Sequence, residues 1–210
     1  RKVDVSGNIT TIAKNLPHVV LSLAVDSSGE TLYFAEFSTS GKVKSLNLGP
    51  EGSDLQDVAG VNFAHDIALD DSDNIYVAEF GGNKVSKIDV NGEKETVIEI
   101  IEPIMLAVYG DNLLVGQNQQ DTITVVDISS EAPQTLGTFN IFNSMYGLVV
   151  DSGANLYVSV MAGVEAGVKK VSLPLAVDGR LKLIGTPSGD DVGTHNVELT
   201  VSDGVAVVTH

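Results

Sequence analysis

The chain has 210 residues, 43% of them hydrophobic and 19% charged, enough apolar material for a substantial core. It contains no cysteine, which excludes a disulfide scaffold and a cysteine metal site, and no apolar run reaches the roughly eighteen residues of a membrane span. A net charge of −16 repels phosphate backbones and anionic lipid, so neither nucleic acid nor membrane insertion is expected. The chain opens on Arg1 without an apolar leader and reads as a processed or excised piece.

From the N-terminus onward the apolar runs are short, rich in Val, Ile and Leu, and cut by Gly, Asp, Asn and Ser. No helical period is sustained, so strands joined by tight turns are predicted throughout. Two short strands come first, "RKVDVSG" and "NITTIA". "LSLAVDSSGETLYFAEF" (21–37) then reads as strand–turn–strand, followed by strands at "VKSLNLG" and "DLQDVA". The order repeats with "HDIALDDSDNIYVAEF" (65–80), "VSKIDVNG" and "ETVIEI", and again with "IMLAVYGDNLLVGQN", "ITVVDIS" and "QTLGTF". A further round brings "YGLVVDSGANLYVSVM", "VKKVSLP" and "RLKLIG", and the chain closes on the strand–turn–strand "HNVELTVSDGVAVVTH" (195–210).

Equivalent first-strand positions are Val25, Leu69, Val108, Val150 and Leu199, at gaps of 44, 39, 42 and 49 residues. The second-strand series is Phe34, Val77, Val115, Val158 and Val207, and the third-strand series is Val3, Leu46, Ile88, Val126 and Val171. Four strands in about 42 residues is the arithmetic of a β-propeller blade, whose two faces are buried only by neighbouring blades. The phase matters as well. The chain starts in a third strand and stops in a second, so strands from both termini can build one closing blade and hide two open sheet edges. The expectation is an all-β propeller, residues 1–210 as one domain, with five antiparallel four-stranded blades.

"DNIYVAEFGGNKVSKIDVNG" (73–92) resembles the NHL repeat and the related lactonase-type and virginiamycin-lyase-type propellers. The likeness is close over 21–48 and 65–92 and loose elsewhere, and it specifies fold better than activity. Residues 183–204, "LIGTPSGDDVGTHNVELTVSDG", resemble the end of a bacterial cadherin-like, immunoglobulin-type module. That gives an alternative division, blades over 1–172 and part of such a module over 173–210. It also implies a secreted or cell-envelope bacterial setting.

In propellers of these families, ligands sit where the loop entering the first strand meets the loop leaving the second. On that frame one ring is Leu21, His65, Ile104, Tyr146 and His195, followed by Ser22, Asp66, Met105, Gly147 and Asn196. The other is Glu36, Glu79, Gln117, Val160 and Thr209, followed by Phe37, Phe80, Asn118, Met161 and His210. The channel-mouth candidates are therefore His65, Asp66, Tyr146, His195, Asn196, Glu36, Glu79, Phe37 and Phe80. Imidazole beside carboxylate suits a general base or a divalent cation, and the resemblance implies Ca2+ or Mg2+. The families' metal-binding Asn and Asp do not fall at matching positions, so no catalytic residue is carried over. The competing reading makes His65 and Asp66 loop caps and has Glu36 and Glu79 bond backbone between blades.

"DDSDN" (70–74) alternates oxygens as a calcium loop does but lacks the downstream Glu and lies where a hairpin must turn, so an Asx-rich turn is expected. The leading functional expectation is a non-enzymatic module that binds a protein or glycan at the channel face. A metal-dependent lactonase or lyase and a structural spacer are the alternatives.

Overall fold

The computed structural model describes residues 1–49, 54–117, 120–140, 145–160, 167–172, 200–202 and 207–209. After a short hairpin, β1 (Lys2–Val3) and β2 (Ile9–Thr10), come β3 (Val19–Val25), β4 (Thr31–Phe37), β5 (Gly41–Asn47) and β6 (Leu55–Val61). These four pair antiparallel in chain order as blade 1. Blade 2 repeats the order with β7 (Ala64–Leu69), β8 (Ile75–Glu79), β9 (Lys84–Ile88) and β10 (Lys94–Glu99). Blade 3 is β11 (Pro103–Tyr109), β12 (Asn112–Gln117), β13 (Thr122–Asp127) and β14 (Gln134–Asn140). Blade 4 shows β15 (Met145–Val150), β16 (Asn155–Val160) and β17 (Gly167–Ser172), and the hairpin β18 (Thr200–Ser202) and β19 (Val207–Thr209) ends the chain. The protein is a β-propeller of antiparallel blades.

The repeat inferred from spacing is the repeat of the pairing. Leu23 faces Phe34, Ile67 faces Val77, Leu106 faces Val115 and Leu148 faces Val158. In blades 1, 2 and 4 one aspartate sets the turn between first and second strands, whereas blade 3 turns tightly at Gly110, φ 53°. Asp70 accepts the backbone N–H groups of Ser72 and Asn74 at 2.9 Å and the Asn74 amide at 2.8 Å, and Asp151 holds Gly153 and Asn155 in the same way. "DDSDN" is thus an Asx-closed turn, with Asp73 left-handed at φ 62°.

The core lies between the blades. Ala35 and Val43 of blade 1 pack on Ile67, Val77 and Ile88 of blade 2, and Tyr76 and Val85 pack on Leu106 and Val115 of blade 3. Ile104, Leu114 and Ile123 in turn pack on Leu156 and Val158 of blade 4. Strands β8 and β12 are buried along their whole length because their blades are covered on both faces. Each such Leu or Ile contributes about 1.5–3 kcal/mol by leaving water.

Blade 1 shows what an uncovered face looks like. Leu23 is 63% exposed, whereas its equivalents Ile67 and Leu106 are each 5% exposed. The two halves expected to make the closing blade both occur as hairpins, β1–β2 and β18–β19, each paired within itself. The register that would join them is not among the described pairings. The cadherin-like stretch lies outside the described residues except for Thr200–Ser202.

Candidate functional site

Each of the four described blades carries a β-bulge at the same place in its first strand. Pairing jumps from Val20 to Ser22, from Ala64 to Asp66, from Pro103 to Met105 and from Met145 to Gly147. The residues skipped are Leu21, His65, Ile104 and Tyr146, the ring picked out from the sequence. A bulge bends its strand and re-aims the extra side chain. Here the four skipped residues line one cavity of about 600 Å³. Phe37, Phe80, Asp66, Met105 and Met145 complete most of its wall.

Aromatic side chains converge on the rim. Phe37 meets His65 edge to face with ring centres 5.9 Å apart, and Phe80 lies tilted against His65 at 6.2 Å. Phe63, left-handed at φ 46° in the connection between blades 1 and 2, backs Phe37 at 4.9 Å. Tyr146 is largely exposed. The cavity brings together His65, Asp66, Phe37, Phe80 and Tyr146, while His195 and Asn196 lie outside the described residues.

Asp66 is bound on all sides. Its carboxylate accepts the Ser22 hydroxyl of blade 1, its neighbour Ile67 N–H at 2.9 Å, and the Leu106 N–H of blade 3 at 2.8 Å. One side chain thus ties three blades together around the channel. Burial pushes its carboxyl above the usual range, against the pull of those three donors.

Glu79 and Glu36 do not line the cavity; they are 2% and 1% exposed. Glu79 accepts the Asn62 N–H from the connection between blades at 2.9 Å, the Ser86 hydroxyl, and Lys94 Nζ at 2.7 Å. Burial alone would raise its carboxyl, but the Lys94, Ser86 and Asn62 contacts outweigh it and hold the group below the usual range. Gln117 performs the same task in blade 3. Its amide donates to the Ile101 carbonyl at 3.1 Å and its oxygen accepts Thr122 and Thr124. In blade 1 the hydroxyl of Ser86 or Thr124 is replaced by Lys44, which turns instead to Asp57, and Glu36 Oε1 is buried without a partner.

The sequence placed Met105 in the ring without making it a channel-mouth candidate, and did not single out Met145 or Phe63. The period that places the ring also places Met105, but Met145 and Phe63 follow from the bulge and from a left-handed residue, neither marked by a glycine. Among the described residues no three of His, Asp and Glu are grouped to hold a metal ion.

No family model matches the chain, and no curated protein matches it. Solved structures do. A candidate gluconolactonase is 17% identical with a TM-score of 0.64, covering 83% of this chain and 66% of its own. Virginiamycin B lyase from Staphylococcus aureus is 16% identical with a TM-score of 0.59, covering 84% and 64%. A chain of a nidogen/laminin complex is 14% identical with a TM-score of 0.51, covering 57% and 46%. The fold is that of the lactonase- and lyase-type propellers. At these identities the likeness carries fold alone, and this chain spans between 46% and 66% of those structures. The cadherin-like reading of the C-terminus finds no support among them.

Proposed function

We propose that the chain is a binding module whose channel mouth captures a small ligand with a compact apolar-shelled group. The observation behind this is the wall itself: four bulged residues, two phenylalanines and two methionines surround about 600 Å³, a volume within the ordinary range for small-molecule sites. Asp66 faces the cavity with its carboxylate engaged by three donors, and Glu79 is spent on structure, so neither is free to do chemistry. The secreted or cell-envelope setting belongs to the same proposal and rests on the acidic, cysteine-free composition.

NMR titration with a panel of small neutral alicyclic and aromatic alcohols tests the reading. Binding is expected to shift the methyl signals of Met105 and Met145, and Phe80→Ala is expected to weaken it about tenfold. The reading is overturned if neither this panel nor small cationic alcohols move either methyl.

A second reading rests on His65, the one imidazole on the cavity wall among the described residues, which suits a general base in a lactonase or lyase. Divalent-cation dependence belongs to this reading. Turnover of δ-lactones that needs Ca2+ or Mg2+ and is lost in His65→Ala would support it, and a thermal-shift titration shows whether either ion binds the native state.

A further inference from the structure

We infer that the channel mouth is a cage for a quaternary ammonium group on a small ligand, an inference that rests on the binding reading above and names its ligand class. Three aromatic rings, Phe37, Phe80 and Tyr146, and the imidazole of His65 present π systems to one cavity. A cation within about 6 Å of a ring centre is attracted by the ring quadrupole, the more so where water is excluded. Met105 and Met145 add polarizable sulfur to the same wall.

The charges agree. Among the described residues no Lys or Arg lines the cavity, and several of the described lysines are engaged elsewhere. Lys42 and Lys44 sit on Asp57, Lys94 sits on Glu79, and Lys170 lies over Tyr157. The Asp66 carboxyl lines the same cavity, and the net charge of −16 draws cations and repels anions at long range.

The wall also selects among cations. A primary ammonium brings three N–H donors that need acceptors once desolvated. Asp66, the carboxylate on this wall among the described residues, already accepts from Ser22, Ile67 and Leu106. A quaternary ammonium has no N–H to satisfy and presents only methyl groups to the rings. The cage therefore favours the methylated cation over the primary amine, and the cation over its neutral carbon analogue.

Choline, 3,3-dimethylbutan-1-ol and ethanolamine separate these effects, because the first two share a shape and differ in charge while the third keeps the charge and loses the methyls. Calorimetric or NMR titration is expected to show choline binding about tenfold tighter than the neutral alcohol, with ethanolamine weaker than both. Tyr146→Leu, at an exposed position that leaves the blade core untouched, is expected to weaken choline about fivefold and leave the neutral alcohol nearly unchanged. Phe80→Leu provides a second variant, expected to weaken choline more than the neutral alcohol. Equal or tighter binding of the neutral alcohol would overturn the cation inference while leaving the binding reading in place. Failure of all three to bind would overturn both.

Discussion

Glu36 and Glu79 occupy the same position in successive blades, but their carboxylate oxygens meet different hydrogen-bond partners. Glu79 has a lysine, a hydroxyl and a backbone N–H, whereas Glu36 Oε1 is buried with nothing to accept from. Leaving a buried acceptor unpaired costs about 1–3 kcal/mol. Replacing Glu36 by Gln, the residue that serves blade 3 as Gln117, is therefore expected to raise stability by about 1–2 kcal/mol in urea denaturation. Glu79→Gln is expected to lower it by about 1–3 kcal/mol, because Lys94 loses its anion.

Asp151 gives a pH prediction at the same scale. Backbone and side-chain bonds from Asn155, together with Tyr157 and Gly153, pull its carboxyl from 3.8 down to about 2. A depressed folded value stabilises above the unfolded value and loses that contribution as pH falls through the folded one, here between about pH 4 and 2. Asp151→Asn is expected to flatten the acid limb of the stability curve across that window. Asp66 has the opposite sign, since its raised carboxyl costs stability as pH rises through it.

Among the elements, the first strand does the most. Its bulge points one residue at the channel, and the next residue can then reach neighbouring blades. Asp66 is the one that does so in both directions, and Asp66→Ala is expected to cost about 2–4 kcal/mol by removing three blade-to-blade or in-strand bonds, measured by thermal and urea melts. Ser22→Ala, which removes a single donor, is expected to cost less. The start of β5 has a different constraint. A Cβ on Gly41 would stand 2.3 Å from the Glu36 carbonyl oxygen and 3.0 Å from that of Ser38, so Gly41→Ala forces the turn after β4 to open. Loss of about 2 kcal/mol or more is expected, with the amide signals of Ser38 and Val43 shifting together.

At the scale of the molecule, each interblade core is built from two faces, and the face of β3 has no described partner. Val19, Leu21, Leu23 and Val25 alternate outward along a strand whose counterparts in blades 2 and 3 are mostly covered. A closing blade drawn from β1–β2 and β18–β19 would cover it, and Leu23→Asp is then expected to cost about 2–4 kcal/mol in denaturation of the whole chain. An effect under about 0.5 kcal/mol, ordinary for a solvated surface position, would show that this face stays open.

The sequence by itself determined the blade. Period-2 apolar runs, Asx turns and a spacing of about 42 residues leave little but four-stranded sheets stacked face to face, and Phe34, Val77, Val115 and Val158 pair across the strands as their spacing required. It also located the ring of Leu21, His65, Ile104 and Tyr146, because a repeat puts equivalent residues at equivalent places. Only the tertiary structure decided what those places do. Whether a carboxylate faces ligand or neighbour depends on which groups another blade brings within about 3 Å, and spacing within one blade holds no record of that. Asp66 became a tie between blades, Glu79 a buried ion pair and Glu36 an orphan for this reason. His65 stayed at the channel because a bulge turned it there.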